Sequence, residues 1–265
     1  MSNQKPVRFN LKQKLRNRER VFGTWASLFH PSIAEIFGEM GADFLGLDLE
    51  HGTMSHGDAQ TMILASQSKN VPCLPRIASH NIEMGRRLLD SGADGLIIPM
   101  VNTAKQASDL VTAYKYPPLG HRGYGVARAQ GYGFSFSEYA KTWNDSSTFI
   151  VQIESIKAME HIDEILKLDL IDGVMVGPYD ISGSLGIPGE LEHPRVQETV
   201  NQIIQACQTH GKSCGTQLVD PDTEQLDQAF KAGFTFVILS SDVFLLWKWS
   251  ERMKGLLHPS VPQRV

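Results

Sequence analysis

The feature that most constrains this 265-residue chain is a recurring unit: a polar helical stretch, a glycine, then a short apolar run ending in polar residues. The plainest copies are Gly41-Ala42-Asp43 before Phe44-Leu45-Gly46-Leu47-Asp48, and Gly92-Ala93-Asp94 before Gly95-Leu96-Ile97-Ile98-Pro99. Asp172-Gly173 before Val174-Met175-Val176 and Ala232-Gly233 before Phe234-Thr235-Phe236 repeat the idea. A glycine just past a helix accepts the left-handed conformation that stops it. The run that follows suits a parallel strand buried on both faces. Eight such strands are expected near residues 21–25, 44–49, 73–77, 96–100, 149–153, 174–176, 213–217 and 234–239. Helical patterns fill 32–40, 58–68, 82–89, 104–113, 156–166, 196–210, 223–231 and 243–257, with caps expected at Ser32, Asn81, Thr103, Ser155 and Asp222. Eight βα units in one chain predict an α/β protein with a single (β/α)8 barrel. A doubly wound sheet would need a nucleotide-binding loop, and none occurs.

Composition narrows the function classes. Lys and Arg total 25 against 29 Asp and Glu, a formal charge of −4, which excludes a dedicated nucleic-acid binder. No apolar run approaches the ~20 residues of a membrane span, and the start of the chain lacks a signal-peptide core. Three cysteines, Cys73, Cys207 and Cys214, leave one unpaired under any disulfide scheme, which fits a reducing, cytoplasmic setting. Residues 8–20 carry six basic side chains. They read either as a polyanion-binding or transit arm, or as an amphipathic helix with Phe9, Leu11 and Leu15 inward and the charges solvated; the second reading is preferred. No linker divides the chain, so residues 1–265 form one domain, with an N-terminal helix in 1–20 and a C-terminal helix and tail in 243–265. One connection, between residues 114 and 149, is long and rich in glycine and aromatics. It is expected to be functional, partly helical or used in subunit packing.

In a barrel, polar residues at the C-terminal strand ends converge on one face. Those ends carry Asp48, Glu50 and His51 after the second strand, Arg76 after the third, Gln152 and Glu154 after the fifth, and Gly177-Pro178-Tyr179-Asp180 after the sixth. Trp25 ends the first and either lines the pocket or packs the barrel. Glu154 and Asp180 end adjacent strands, so their carboxylates either share one hard divalent cation such as Mg²⁺ or Mn²⁺, or stand as solvated loop carboxylates. Arg76 suits a bidentate hold on a substrate carboxylate, or a salt bridge to Asp48 or Glu50. His51 is a candidate general base. Gly211-Lys212-Ser213 lacks the earlier glycine of a P-loop, no HExxH occurs, and none of these strand ends offers a Schiff-base lysine.

Taken in order, several motifs closely resemble the class II HpcH/HpaI aldolase family of metal-dependent pyruvate aldolases. They are Asp48-Leu49-Glu50-His51-Gly52, Pro75-Arg76, Leu88-Leu89-Asp90-Ser91-Gly92-Ala93, Pro117-Pro118 with Gly120-His121-Arg122-Gly123, Gln152-Ile153-Glu154, and Gly177-Pro178-Tyr179-Asp180-Ile181-Ser182. The resemblance spans nearly the whole chain. It implies a barrel whose last helix swaps onto a neighbouring subunit, in a homo-oligomer such as a hexamer built as a trimer of dimers. It implies that Glu154 and Asp180 hold Mg²⁺, Mn²⁺ or a related ion such as Co²⁺, with Asp48 and Glu50 nearby through water. Arg76 would contact the keto oxygen, backbone amides around residues 177–180 the substrate carboxylate, and His51 paired with Asp90 would move the proton. The implied reaction cleaves a 4-hydroxy-2-oxo acid, or a 2-dehydro-3-deoxy sugar acid, to pyruvate and an aldehyde. Two departures, Tyr124-Gly125-Val126-Ala127-Arg128 and Tyr179, border the aldehyde side and leave the aldehyde open. Oxaloacetate decarboxylation and a non-catalytic 2-oxo-acid-binding barrel are the alternatives; nothing marks a coenzyme A site.

Overall fold

The computed structural model describes residues 7–257; the outermost parts of the expected terminal segments, 1–6 and 258–265, lie outside the described residues. Eight parallel strands close into a barrel in sequence order. They are β1 (Val21–Ala26), β2 (Phe44–Asp48), β3 (Cys73–Arg76), β4 (Gly95–Ile98), β5 (Thr148–Ile153), β6 (Gly173–Val176), β7 (Ser213–Leu218) and β8 (Phe236–Ser241). The helices are α1 (Val7–Arg16), α2 (Pro31–Glu39), α3 (His56–Ser68), α4 (Ile82–Asp90), α5 (Ala104–Tyr114), α6 (Phe136–Ser146), α7 (Ile156–Glu160), α8 (Ile162–Leu166), α9 (Pro178–Ser184), α10 (Pro194–Thr209), α11 (Thr223–Ala232) and α12 (Asp242–Leu257). The expected (β/α)8 barrel is therefore present, with differences at individual elements. His30, not Ser32, caps α2, because Pro31 takes the first helical position and the His30 ring accepts from the Ser32 amide. The helix expected over 156–166 breaks at His161 into α7 and α8. Gly41 and Gly92 stop their helices with φ of +80° and +103°, whereas Gly173 lies inside β6 and stops nothing.

The aspartates of the recurring unit have a common task at the N-terminal end of the barrel. The Asp43 amide donates to the Phe22 carbonyl at 2.7 Å, and the Phe22 amide donates back to Asp43 Oδ2 at 2.9 Å. Asp94 and Cys73 make the same reciprocal pair, as do Asp172 and Phe149. Thr235 does so with Cys214 through its hydroxyl. Each even strand is thereby tied to the odd strand before it, and the backbone donors at the barrel base are satisfied without water.

Three of these four positions carry a buried or half-buried carboxylate, and α1 supplies their counter-charges. Lys14 reaches Asp43 at 2.6 Å, Arg8 stands 3.7 Å from Asp94, and Lys12 and Arg16 reach Asp172 at 2.7 and 2.9 Å. At the fourth quarter, Ser213 Oγ donates to the Leu15 carbonyl. This corrects the expectation of a solvated basic face: Lys12 is buried, and the helix is amphipathic because its charges plug an acidic ring. Leu11 and Leu15 enter the barrel as expected, joining Val21, Phe44, Ile97, Ile150 and Phe236, while Phe9 is only half-buried. Breaking such a buried pair by removing one partner costs about 3–5 kcal/mol.

The other end of α12 behaves differently. It leaves β8 at Asp242, whose carboxylate accepts the Ser27, Leu28 and Val243 amides. Beyond that point Leu245, Leu246, Trp247, Trp249, Leu256 and Leu257 are all exposed. The long connection is partly helical, as expected: a 3-10 turn at Arg128–Gly133 leads into α6. No helix among the described residues is long and apolar enough to cross a membrane.

Lys115 gives this base a measurable pH signature. It is buried, donates to the Asn144 carbonyl and Ser147 Oγ, and has no carboxylate hydrogen-bond partner among the described residues. Burial, and then the neighbouring Lys12, push its pKa down to about 7. The folded chain releases this proton near pH 7, whereas the unfolded chain holds it to about pH 10.4. Between those values the unfolded state binds more protons, so stability rises with pH. Urea denaturation at pH 7.5 and 9.5 should show the higher midpoint at 9.5, and Lys115→Met should flatten the difference.

Candidate active site

Strand register places the expected residues at the C-terminal mouth. Asp48 lies directly across from Arg76 in the β2–β3 ladder, and Gln152 is paired with Met175 between β5 and β6. Arg76 spends one edge on Asp48, with Nε 3.0 Å from Oδ1 and Nη2 2.8 Å from Oδ2. Its Nε also lies 3.3 Å from Glu50 Oε2. The salt-bridge reading of Arg76 is thus realised with both acids, and the Nη1 side still faces the centre of the mouth, 3.4 Å from Gln152 Oε1. Asp48 is fixed in turn by the Glu50 and His51 amides, each donating to Oδ1 at 3.2 Å.

Gln152 extends this chain of contacts across the barrel. Its Nε2 donates to Glu154 Oε2 at 2.8 Å, and the Met100 amide donates to Glu154 Oε1 at 2.5 Å. Glu154 is therefore held at both oxygens. It is 4% exposed, and burial raises its pKa, with the Asp180 and Glu50 charges acting in the same direction. Glu50 is raised for the same first reason, burial. Asp180 approaches from the first turn of α9 on the other side of Gly177. A Cβ at Gly177 would stand 3.0 Å from Glu154 Oε2 and 3.2 Å from Asp180 Oδ2. The glycine thus leaves open a small cradle bordered by two carboxylate oxygens.

Such a pair fits a hard divalent cation: oxygen donors only, acidic charge without a partner cation on Glu154, and space between the oxygens. No group of three or more His, Cys, Asp or Glu side chains suited to a metal occurs among the described residues. The protein itself would fill only part of the coordination shell, and substrate oxygens and water would complete it. Pro178 has no amide hydrogen, and the Gly177 amide donates to the Ile153 carbonyl. The amides of Tyr179 and Asp180, at the start of α9, are what remain of the expected carboxylate-binding group.

Three expectations meet the structure differently. Trp25 packs inside the barrel, 3% exposed and clustered with Phe44, Leu74, Ile97 and Met175, with the Arg76 guanidinium 4.9 Å from its ring centroid. Tyr179 stands exposed at the rim. His51 is also exposed, 3.8 Å from Glu50 Oε2. Asp90, however, is at the end of α4 and so at the N-terminal end of the barrel, opposite His51. Asp90 pairs with Arg122 at 2.6 Å, and that guanidinium is buried among Tyr116, Tyr139 and Trp143.

Sequence reasoning missed Met100. Its φ of +52° is unusual for a side chain other than glycine, and this conformation turns its amide toward Glu154. Nothing in Ile98-Pro99-Met100 signals it. It also missed the bridging role of Gln152, although the two-residue spacing to Glu154 along one strand places both on the same face.

Comparisons with known proteins give the family. The family model described as HpcH/HpaI aldolase/citrate lyase matches residues 21–248. A hydroxypyruvate/pyruvate aldolase of Roseobacter denitrificans is 34% identical over 237 residues, 89% of this chain and 91% of that protein. A 2-keto-3-deoxy-L-rhamnonate aldolase of Escherichia coli is 38% identical over 236 residues, 88% of this chain and 87% of the other. The crystal structure of an HpcH/HpaI aldolase from Desulfitobacterium hafniense superposes with a TM-score of 0.85 at 31% identity, covering 96% of this chain and 98% of that one.

Proposed function

Since this chain belongs to the HpcH/HpaI aldolase/citrate lyase family, we propose that it reversibly cleaves a 4-hydroxy-2-oxo acid or a 2-dehydro-3-deoxy sugar acid. It is an aldolase, a carbon–carbon lyase whose products are pyruvate and an aldehyde. The observation that carries the mechanistic reading is the continuous contact from Asp48 through Arg76 and Gln152 to Glu154, with Asp180 across the Gly177 gap.

Glu154 and Asp180 would hold the divalent cation, Mg²⁺ or Mn²⁺ and in the same class Co²⁺, which supplies Lewis-acid polarisation of the substrate keto group. Arg76, already charge-balanced by Asp48, directs its Nη1 side at the keto oxygen and stabilises the enolate that forms when the C3–C4 bond breaks. The Tyr179 and Asp180 amides take the substrate carboxylate. Gln152 keeps Arg76 and Glu154 in register, while Gly177 and Pro178 shape the turn that brings Asp180 to the site. Trp25 walls one side, and Tyr179 borders the aldehyde. Asp48 and Glu50 lie close enough to orient water. Oxaloacetate would reach the same enolate by losing carbon dioxide, so it is the comparison substrate.

His51 is the group that takes the proton from the C4 hydroxyl, with Asp90 as its partner. Because the two lie at opposite ends of one barrel, the pairing has to form between copies of the chain. The exposed apolar side of α12 supports a homo-oligomer in which that helix is covered by a neighbour, in the manner of a hexamer built as a trimer of dimers. Three buried free thiols support a reducing compartment such as the cytoplasm.

The reading is tested by following pyruvate release over a panel of hydroxy-oxo acids, 2-dehydro-3-deoxy sugar acids and oxaloacetate. Release should fall at least about a hundredfold after EDTA, return with Mn²⁺ and be lost in Glu154→Gln. Activity that survives complete metal removal overturns the metal assignment. A second measurement addresses His51 and Asp90. Chains carrying His51→Ala and chains carrying Asp90→Ala, each inactive alone, should regain on the order of a quarter of wild-type activity when co-assembled at equal amounts. Co-assembled oligomers no more active than either parent would contradict a site shared between copies.

A further inference from the structure

We infer that Trp25 is a positioning residue for Arg76: its indole face sets the tilt of the guanidinium, an inference that rests on the reading of Arg76 as the group meeting the keto oxygen. The geometry crosses three strands. Trp25 on β1 pairs in register with Gly46 on β2, and two residues further along β2, Asp48 pairs with Arg76 on β3. For the indole to reach Arg76 it must lie across β2, and Gly46 is the residue it crosses. A Cβ there would stand 2.4 Å from Cε3 and Cζ3 of the ring, so only glycine leaves the path open. The ring ends with the guanidinium carbon 4.9 Å from its centroid and is itself almost fully buried.

The other contacts do not do this job. Asp48 grips the Nε and Nη2 edge, and Glu50 lies 3.3 Å from the same Nε, so both carboxylates hold that one edge. An edge-on carboxylate leaves the plane free to tilt about that edge. Gln152 meets Arg76 at one atom, Nη1, at 3.4 Å, and a contact at a single atom sets the position of that end without fixing the tilt of the plane. The indole supplies the missing restraint on the face, through attraction between the cation and the ring quadrupole. It also keeps water from that face, so the charge acts through the Nη1 side. The effect belongs to orientation, and a small misplacement of a charged donor is costly in rate.

The test is a set of variants followed by pyruvate release under saturating metal, with the thermal midpoint recorded for each. Trp25→Leu should lower kcat about tenfold or more, and Trp25→Phe, which keeps a ring face, should lose no more than about threefold. Gly46→Ala leaves the indole intact but pushes it off its path, and should lose activity as Trp25→Leu does. The deciding measurement is a double-mutant cycle: in an Arg76→Gln background, adding Trp25→Leu should change kcat by less than about twofold. A Trp25→Leu loss as large in that background as in the wild type would overturn the inference, as would unchanged kcat in both Trp25→Leu and Gly46→Ala. Should Trp25→Leu fold poorly, Trp25→Phe and Gly46→Ala carry the same cycle. Full activity in Arg76→Gln alone would instead refute the role of Arg76, a distinct outcome.

Discussion

The ion pairs between α1 and the aspartates at the base of the barrel are the constraint on which the rest of this structure depends. Asp43, Asp94 and Asp172 each tie an even strand to the odd strand before it, and each needs a cation because burial penalises its charge. Lys14, Arg8 and the Lys12–Arg16 pair meet that need from one short helix. A barrel closed at its base in this way has fixed strand register, and fixed register places Asp48 across from Arg76 at the opposite end. The interior layers between the two ends follow the same economy of space: Gly23, Gly46 and Gly215 make room for Phe44, Trp25 and Phe236.

The two ends of the barrel treat acidic residues in opposite ways. At the base, carboxylates are matched by lysine and arginine. At the mouth, Asp48 is matched by Arg76, but Glu154 has only hydrogen-bond donors, Met100 and Gln152, and shares its surroundings with Asp180 and Glu50. Hydrogen bonds steady a carboxylate without neutralising it. That uneven distribution is what the proposed divalent cation at the mouth would offset, and it follows from side-chain placement that a net charge of −4 cannot reveal.

Much of this was legible in the sequence, for physical reasons. A short apolar run recurs eight times, with a glycine before it in the four plainest copies, because a parallel strand buried on both faces favours that composition. Glu154, Asp180, Arg76 and Asp48 could be picked out because strand ends in a barrel converge. The charges of residues 8–20 were misread, since a helical period shows which side chains share a face but not that a ring of aspartates awaits them. Met100 was invisible because its contribution is a backbone amide turned by a left-handed conformation that methionine does not advertise. Asp90 entered only through family resemblance, and its position opposite His51 could be found only in three dimensions.

In the proposed reaction Glu154 and Asp180 jointly hold a divalent cation at the barrel mouth. Anomalous diffraction at the manganese edge, from crystals grown with Mn²⁺ and oxalate, addresses it directly. One peak per chain is expected, in the gap beside Gly177, at about 2.1 Å from a carboxylate oxygen of each residue. No peak in that gap, or a fully occupied peak elsewhere in the chain, would contradict it.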